Sequence, residues 1–422
     1  MTDKVFALVD CNNFYVSCER VFRPDLKNVP VAVLSNNDGC IIARSKEVKD
    51  LGIKMGTPVF KVRDLIKEHQ IRIFSSNYSL YDNISTRVMQ TLETFSPRVE
   101  IYSIDEAFLD VSGITHLETY GHQIRQTVGK DVGVPVCVGI APTKTLSKLA
   151  NYAAKKFKQT GGVVDLSDPL RQQRLLDITP VSEAWGIGRR HTESLAHIGI
   201  TTAGQLARMD TRFIRKKYSV VMARTVMELN GESCLDLEEI TPPKKQIVCS
   251  RSFGEKIIDK NQVRQALCEF AARAAEKLRK EKQRATVMTA FIRTSPFDKN
   301  EPYYGNAATG RFFQSTSDTR QLAGMATNLF ERIWKEGHRY AKAGVMLGDF
   351  TPEQQMQYPL FDQPEDTDTA DRLMLAIDNI NNTGIGKIWF GGQRPKKDWY
   401  MKQDLKSPAY TTRWECLPVV RV

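Results

Sequence analysis

A short apolar run that ends in a carboxylate constrains this chain more than any other feature. Residues 5–9 are apolar, Asp10 follows directly, and Cys11-Asn12-Asn13 come next. Such a run reads as a buried strand with a polar residue at its carboxyl end. Asn12 or Asn13 is suited to cap a helix that starts near Phe14 and runs toward Phe22, where Pro24 stops it. Residues 31–34 predict a second strand, closed by the turn Asn36-Asn37-Asp38-Gly39. Ile41-Ile42-Ala43 leads into a basic amphipathic stretch, residues 44–54. Residues 79–95 read as a helix, with Ile84, Val88, Leu92 and Phe95 at three- and four-residue spacing. Residues 99–111 alternate as strand, turn and strand, with Asp105-Glu106 near the bend. A strand over 136–140 and a helix over 143–156 follow. This order predicts a mixed α/β sheet with helices on one side. Residues 170–230 look all-helical, and Thr241-Pro242-Pro243-Lys244-Lys245 is a stiff basic linker that marks a boundary.

Charge follows that boundary. The chain carries 60 Lys+Arg against 49 Asp+Glu, a net +11. Residues 241–350 hold 20 basic and 11 acidic residues, so 20 − 11 = +9 lies in one small-domain length. A basic domain on a near-neutral body suggests a polyanion partner, nucleic acid first. The bland alternative is a solvated helix face, since Arg273, Lys277, Arg279, Lys280, Lys282 and Arg284 crowd one segment with Glu276 and Glu281.

Several classes are poor from the start. No run approaches the ~18 apolar residues of a membrane span, and the first apolar run is too short for a signal peptide. The eight cysteines never form Cys-x-x-Cys, and the six histidines never form His-Glu-x-x-His. Reduced, cytoplasmic thiols and no zinc site are expected.

Strand ends on one sheet edge can converge, so Asp10, Asp105 and Glu106 could face one point. Three carboxylates in contact raise one another's pKa unless cations bind. Two hard divalent ions would relieve this and would also drive in-line phosphoryl transfer. The alternative is a helix-capping Asp10 and a solvated Asp105-Glu106 turn. The amides of residues 12–15 would open a helix and offer an anion site for a triphosphate. Lys46, Lys49 and Lys155 lie on nearby candidate helices and could neutralise phosphates, though each alone could equally be a surface lysine. Farther on, Trp185-Gly186-Ile187-Gly188-Arg189-Arg190 sits between two candidate helices. Gly186 and Gly188 allow backbone to approach phosphate, and Arg189 and Arg190 open the next helix. This is the pattern of a helix–hairpin–helix DNA clamp, with a plain Gly-rich turn as the alternative. A dinucleotide loop would need Gly where His191 stands.

These residues resemble a known family. Residues 6–15, Tyr102-Ser103-Ile104-Asp105-Glu106-Ala107-Phe108, Val138-Gly139-Ile140-Ala141, Lys144 with Lys148-Leu149-Ala150, and Trp185-Gly186-Ile187-Gly188 are similar, in order and spacing, to the Y-family translesion DNA polymerases. Within that family the resemblance is strongest to the UmuC branch, the catalytic subunits of bacterial DNA polymerase V and their plasmid-borne relatives. It rests on Ser35-Asn36-Asn37-Asp38-Gly39-Cys40, residues 249–254, 301–306 and 343–348.

The resemblance implies an α+β multidomain fold. Residues 1–10 and 78–165 would form a mixed-sheet palm and 11–77 the fingers. Residues 166–240 would form a helical thumb containing the helix–hairpin–helix, 244–350 an α/β little finger, and 351–422 a C-terminal partner-binding region. It implies two Mg²⁺ held by Asp10, Asp105 and Glu106, with the Cys11 carbonyl as an extra ligand. Tyr15 would be the steric gate that rejects a ribose 2′-hydroxyl, beside Asn12, Asn13 and Phe14, and Lys155 would contact the triphosphate. Lys46 and Lys49 stand where many members have Tyr and Arg, so phosphate contacts there would be arranged differently. Gln357-Tyr358-Pro359-Leu360-Phe361 resembles a sliding-clamp peptide, with Gln357, Leu360 and Phe361 as its anchors, or it is a loop with incidental hydrophobics. The aromatic tail, with Trp389, Phe390, Trp399, Tyr400 and Trp414, would contact a processed UmuD-like dimer and the RecA filament. The implied activity is error-prone, template-directed DNA synthesis on primer–template DNA from dNTPs in the SOS response. A metal-dependent nuclease would use the same carboxylates but needs neither Tyr15 nor triphosphate lysines. A non-catalytic DNA-damage scaffold would need no carboxylates at all.

Overall fold

The computed structural model describes residues 4–238, 242–353, 367–383, 386–393 and 401–419. The chain divides into two compact units. One comprises Met1–Ser35, Gly39–Thr241 and Leu405–Val422, and the other Asn36–Asp38 and Pro242–Asp404. The Pro-Pro linker read from sequence therefore lies at the boundary.

The first unit runs β1 (Phe6–Cys11), α1 (Phe14–Phe22), β2 (Val31–Leu34), β3 (Ile41–Arg44), α2 (Lys46–Asp50), α3 (Arg63–Glu68), β4 (Arg72–Ser75) and α4 (Tyr78–Glu93). It continues with β5 (Val99–Ile101), β6 (Glu106–Asp110), α5 (Leu117–Asp131), β7 (Val136–Ala141), α6 (Lys144–Lys156) and β8 (Val163–Asp165). Five strands form one sheet in the order β5-β6-β1-β7-β8. A small separate sheet, β3-β2-β4, has its own apolar cluster of Ala32, Leu34, Ile41, Val48, Ile53 and Ile71.

The five-stranded sheet is covered on both faces, which corrects the expectation of helices on one side. Ala7, Val9, Val138 and Ile140 pack with Ile84 and Val88 of α4 and with Ile124 and Val128 of α5. The alternate residues Cys137 and Ala141 pack with Leu146, Leu149 and Ala150 of α6. Unbroken apolar runs, as in β1 and β7, are the sequence sign of a strand covered twice. α6 presses hard against β7. A Cβ on Gly139 would lie 2.2 Å from the Asn151 backbone nitrogen and 2.4 Å from the Ser147 carbonyl oxygen. Ser147 Oγ donates to the Phe6 carbonyl (2.9 Å) and Asn151 Nδ2 to that of Cys137 (2.8 Å), tying α6 to the sheet.

The helical stretch appears as read: α7 (Pro169–Ile178), α8 (Arg189–Ala196), α9 (Ala203–Ala207), α10 (Thr211–Lys217) and α11 (Val220–Leu229). Leu176, Leu195, Leu206, Ile214 and Val226 join the cluster that backs α6.

The second unit runs β9 (Gln246–Ile257), α12 (Lys260–Lys280), β10 (Gln283–Arg293), β11 (Gly305–Thr316), α13 (Thr319–Ile333) and β12 (Tyr340–Pro352). Its strands are antiparallel in the order β11-β10-β12-β9. Leu267, Phe270 and Leu278 of α12 and Leu322 and Phe330 of α13 cover Met288, Ala290, Ile292, Ala343 and Val345. A further helix, α14 (Thr367–Asn382), belongs to this unit. Arg279 grips Asp378 with two bonds of 2.7 Å, and the buried Arg284 pairs with Asp371. Arg273 pairs with Glu269 and Lys280 with Glu276. Carboxylates of the same unit thus pair with Arg273, Arg279, Lys280 and Arg284, and Arg279 and Arg284 are covered rather than part of a solvated face.

The tail expected as one region is thus shared between the units, with α14 in the second and residues from Leu405 on in the first. Gln357, Leu360, Phe361, Trp399 and Tyr400 lie outside the described residues. No helix among the described residues is long and apolar enough to cross a membrane.

Candidate active site

Strand register brings the carboxylates together. Asp10, next to last in β1, lies opposite Glu106, the first residue of β6. Directly opposed residues of an antiparallel pair project to the same face. The Cys11 amide donates to the Asp105 carbonyl (2.8 Å), which sets Asp105 beside them. Ser103 Oγ donates to Asp105 Oδ1 (2.6 Å) and fixes that side chain. Burial raises the Asp10 carboxyl above its ordinary range, and the neighbouring Asp105 and Glu106 push the same way against Lys155. The β1–β6 pairing is therefore what brings Asp10 to the adjacent Asp105 and Glu106 as one negative patch.

Two lysines of α6 answer that charge. Lys155 Nζ lies 2.5 Å from Asp10 Oδ2. Lys148 Nζ donates to both oxygens of Glu106, at 2.9 and 3.1 Å. Lys148 also lies over the rings of Tyr102 (4.2 Å) and Trp185 (5.1 Å). Among the described residues no three His, Cys, Asp or Glu side chains close on one point as a ready metal cage. The donor chemistry nevertheless fits a hard divalent cation, since it consists of carboxylate oxygens held at strand ends. The Cys11 thiol does not fit. It is buried, and burial pushes its pKa far up, so only the Cys11 carbonyl is a suitable donor.

The other sequence candidates divide. Lys49 reaches the site: its Nζ donates to Asn13 Oδ1 (2.5 Å). Burial, then Arg44 and Lys155, lower its pKa, while Asp10 opposes them. Lys46 does not. It pairs with Asp50 one helical turn on (2.5 Å) and is largely exposed, because α2 turns that face to solvent. Neither asparagine caps α1 with its side chain. Asn13 takes a left-handed conformation (φ 49°), and Asn12 turns Nδ2 to the Cys137 sulfur (3.3 Å). The Asn12 amide is already bonded to the Pro135 carbonyl, so it is lost to the expected anion site. The Phe14 ring is buried in the core. Tyr15 is half-buried and stacks on Tyr81, with centroids 4.4 Å apart and planes at 16°, and Tyr78 meets its edge.

Lys148, Tyr78 and Tyr81 are the site residues that sequence reasoning gave no role. The available signals were the Lys148/Lys155 pair two turns apart on one helix and the Tyr78/Tyr81 pair at three-residue spacing.

Around the glycine turn, Gly186 has φ +87° and Gly188 precedes α8. The element just before them is a single 3-10 turn, Val181–Glu183, rather than an α-helix. Arg189 is solvent-exposed and pairs with Glu193 (2.9 Å). Trp185 packs on Tyr102 and Phe108, so the turn borders the carboxylate site.

Comparison with known proteins shows the family and the fold. Residues 9–152 match the impB/mucB/samB family, 244–360 match the C-terminal domain of that family, and 371–420 match a domain of unknown function. The chain is 52% identical to Protein ImpB of Salmonella typhimurium over 99% of this chain and 100% of that protein. It is 51% identical to Protein UmuC of Salmonella typhimurium (98% and 99%), and 48% identical to Protein MucB of Escherichia coli (99% and 100%). A Y-family DNA polymerase chimera of Dbh and Dpo4 shares the fold, with a TM-score of 0.68 at 21% identity over 82% of this chain and 99% of that one. Near-full-length identity, the matched segments and the shared fold agree: the chain belongs to the impB/mucB/samB family, the UmuC-like branch of the Y-family DNA polymerases.

Proposed function

We infer that Asp10, Asp105 and Glu106, with the Cys11 carbonyl, hold two Mg²⁺ ions for nucleotidyl transfer. The chain is a DNA-directed DNA polymerase that performs error-prone translesion synthesis in the SOS response. The observation that carries the site assignment is the register of Asp10 against Glu106, with Asp105 fastened to the end of β1. When bound, the ions lower the pKa of the attacking hydroxyl and stabilise the leaving pyrophosphate. Lys155 and Lys49 supply positive charge beside the carboxylates for the triphosphate. Tyr15, at the start of α1 and backed by Tyr81, is the gate against a 2′-hydroxyl.

The five-stranded sheet is the palm, β2 to β4 with α2 and α3 the fingers, α7 to α11 the thumb, and the second sheet with α12 and α13 the little finger. Gly186, Gly188, Arg189 and Arg190 hold the DNA backbone without reading sequence. The open face of the second sheet takes the duplex. Residues 357–361 bind the sliding clamp, and the C-terminal region meets a processed UmuD-like dimer and the RecA filament, all in the cytoplasm. A nuclease reading leaves the Tyr15–Tyr81 stack and the lysines without a purpose.

Primer extension with each dNTP, Mg²⁺ and an abasic template, with and without activated RecA, tests the function. Incorporation opposite the abasic site that requires Mg²⁺ is expected. Degradation of the primer instead would establish the nuclease.

A further inference from the structure

The segment that matches a domain of unknown function returns to the first unit and grips the two helices that carry Tyr15 and Tyr81. Ser75, at the end of β4, exchanges two bonds with Leu405: the Ser75 amide donates to the Leu405 carbonyl, and the Leu405 amide to Ser75 Oγ, each at 3.0 Å. Asn77, the residue before α4, is buried. Its Nδ2 meets Ser407 Oγ (2.9 Å) and the carbonyls of Ser407 and Pro408 (3.3 Å each). Tyr410 lies flat on Phe22 at the end of α1, centroids 4.6 Å apart and planes at 6°.

The chemistry between these grips is unusual. Glu19 is fully buried on α1, one turn after Tyr15. Its Oε1 accepts from two hydroxyls, Tyr81 (2.8 Å) and Ser407 (3.0 Å), and its Oε2 has no partner. Burial raises its pKa. A buried carboxyl with one bare oxygen is costly, so the fold retains it against its own stability. What it gains is a fixed position for the Tyr81 ring, because the hydroxyl is pinned at one end while the ring face supports Tyr15. Tyr15 and Glu19 lie one turn apart on the same helix, so ring and pin move together.

We propose that the C-terminal strap, residues 405–410, is a positioning element for sugar discrimination: Ser407 holds Glu19, Glu19 holds the Tyr81 hydroxyl, and Tyr81 keeps Tyr15 from tilting away from a 2′-hydroxyl. This rests on the reading of Tyr15 as the gate. Exclusion by a ring works only if the ring does not yield, so loosening its support admits ribonucleotides without removing the ring. All three supporting residues are buried, so they act through Tyr15.

The test is single-nucleotide insertion by the full-length protein on primer–template DNA with Mg²⁺, comparing kcat/KM for matched rNTP and dNTP. Tyr81→Phe, which deletes only the pinned hydroxyl, and Ser407→Ala should each raise the rNTP:dNTP ratio about five- to tenfold, the factor one lost hydrogen bond represents. Ser407→Thr, which keeps a hydroxyl, should restore it. In a Tyr15→Ala background neither change should raise the ratio further, because no gate is left to support. A merely structural strap would lower both insertions together and leave the ratio unmoved. That result in Ser407→Ala and Tyr81→Phe, with Tyr15→Ala still raising the ratio, overturns the proposal. An unchanged ratio in Tyr15→Ala instead removes the gate itself. If Ser407→Ala fails to fold, Tyr81→Phe alone decides.

Discussion

The two large sheets use their polar residues in opposite ways. In the five-stranded sheet both faces are packed, so β1 and β7 are buried almost throughout, and the one charged residue of these two strands, Asp10, sits next to a strand end. Asp10, Glu106 and the adjoining Asp105 occupy such an end. In the four-stranded sheet α12 and α13 cover one face, and alternate residues lie on the other: Thr289, Phe291 and Arg293 on β10, Lys342, Gly344 and Met346 on β12. Arg293 and Lys342 stand directly opposite each other, two cations side by side. Burial, and then Arg293, lower the Lys342 pKa. Like charges placed opposite cost stability, which fits a face awaiting a polyanion. A doubly covered sheet concentrates its chemistry at one point, whereas an open-faced sheet spreads it over an area.

The largest expected effect breaks the concentrated site. Asp105→Asn should abolish nucleotide addition, a loss on the order of a thousandfold or more, while primer–template affinity stays nearly unchanged. Gel-shift and single-turnover insertion on the same preparation check this. Normal insertion by the variant would place the metal ligands elsewhere.

Gly139→Ala probes the double covering itself. The added Cβ has only backbone to meet, so α6 must move from β7, costing on the order of 3 kcal/mol. α6 carries Lys148 and Lys155, so insertion should fall as well. A thermal melt matching the wild type would mean that α6 does not press on β7 at this glycine.

The same contrast explains what was legible in the sequence. Asp10 and Asp105-Glu106 could be found because a strand-end site leaves short local motifs, and the Pro-Pro linker marked its boundary by composition. The open face of the second sheet left only a net charge, and part of that charge misled: Arg279 and Arg284 serve α14, whose Asp378 and Asp371 lie 99 and 87 residues away in sequence. Lys46 and Lys49 looked equivalent in the sequence, and only the turn of α2 separates them. Helices on both faces have their sign in the unbroken apolar runs of β1 and β7, which leave neither strand a polar face. The Glu19–Ser407 bond had no local signal at all, because it joins residues 388 apart.

A smaller effect should come from the distributed surface. Lys342→Ala should weaken DNA binding only a few-fold and lower the slope of log affinity against log salt by about one. Catalysis at saturating DNA should be unchanged. A loss as deep as that of Asp105→Asn would mean that the open face is itself part of the reacting centre.

The smallest expected effect compares one carboxyl from each unit, the partly exposed Asp378 and the buried Glu19. Asp378 is held by both arms of Arg279, whereas Glu19 has no cation on it and accepts only from Tyr81 and Ser407. Burial is the chief cause of the raised Glu19 pKa. The two hydroxyl bonds and the more distant Arg23 oppose it. The folded chain therefore binds this proton more tightly than the unfolded chain, whose glutamate titrates near 4.5. Stability from this group is complete below that value and is lost as pH rises through the raised folded pKa. Between pH 5 and pH 8 the melting temperature of the wild type should fall more than that of Glu19→Gln, which cannot ionise. The difference should be a few degrees at most, since each tenfold gain in proton affinity is worth only about 1.4 kcal/mol. Parallel curves would mean that Glu19 ionises in the fold as freely as in water. In that case the bare Oε2 would carry a charge, and the two hydroxyls would be stabilising a carboxylate rather than an acid.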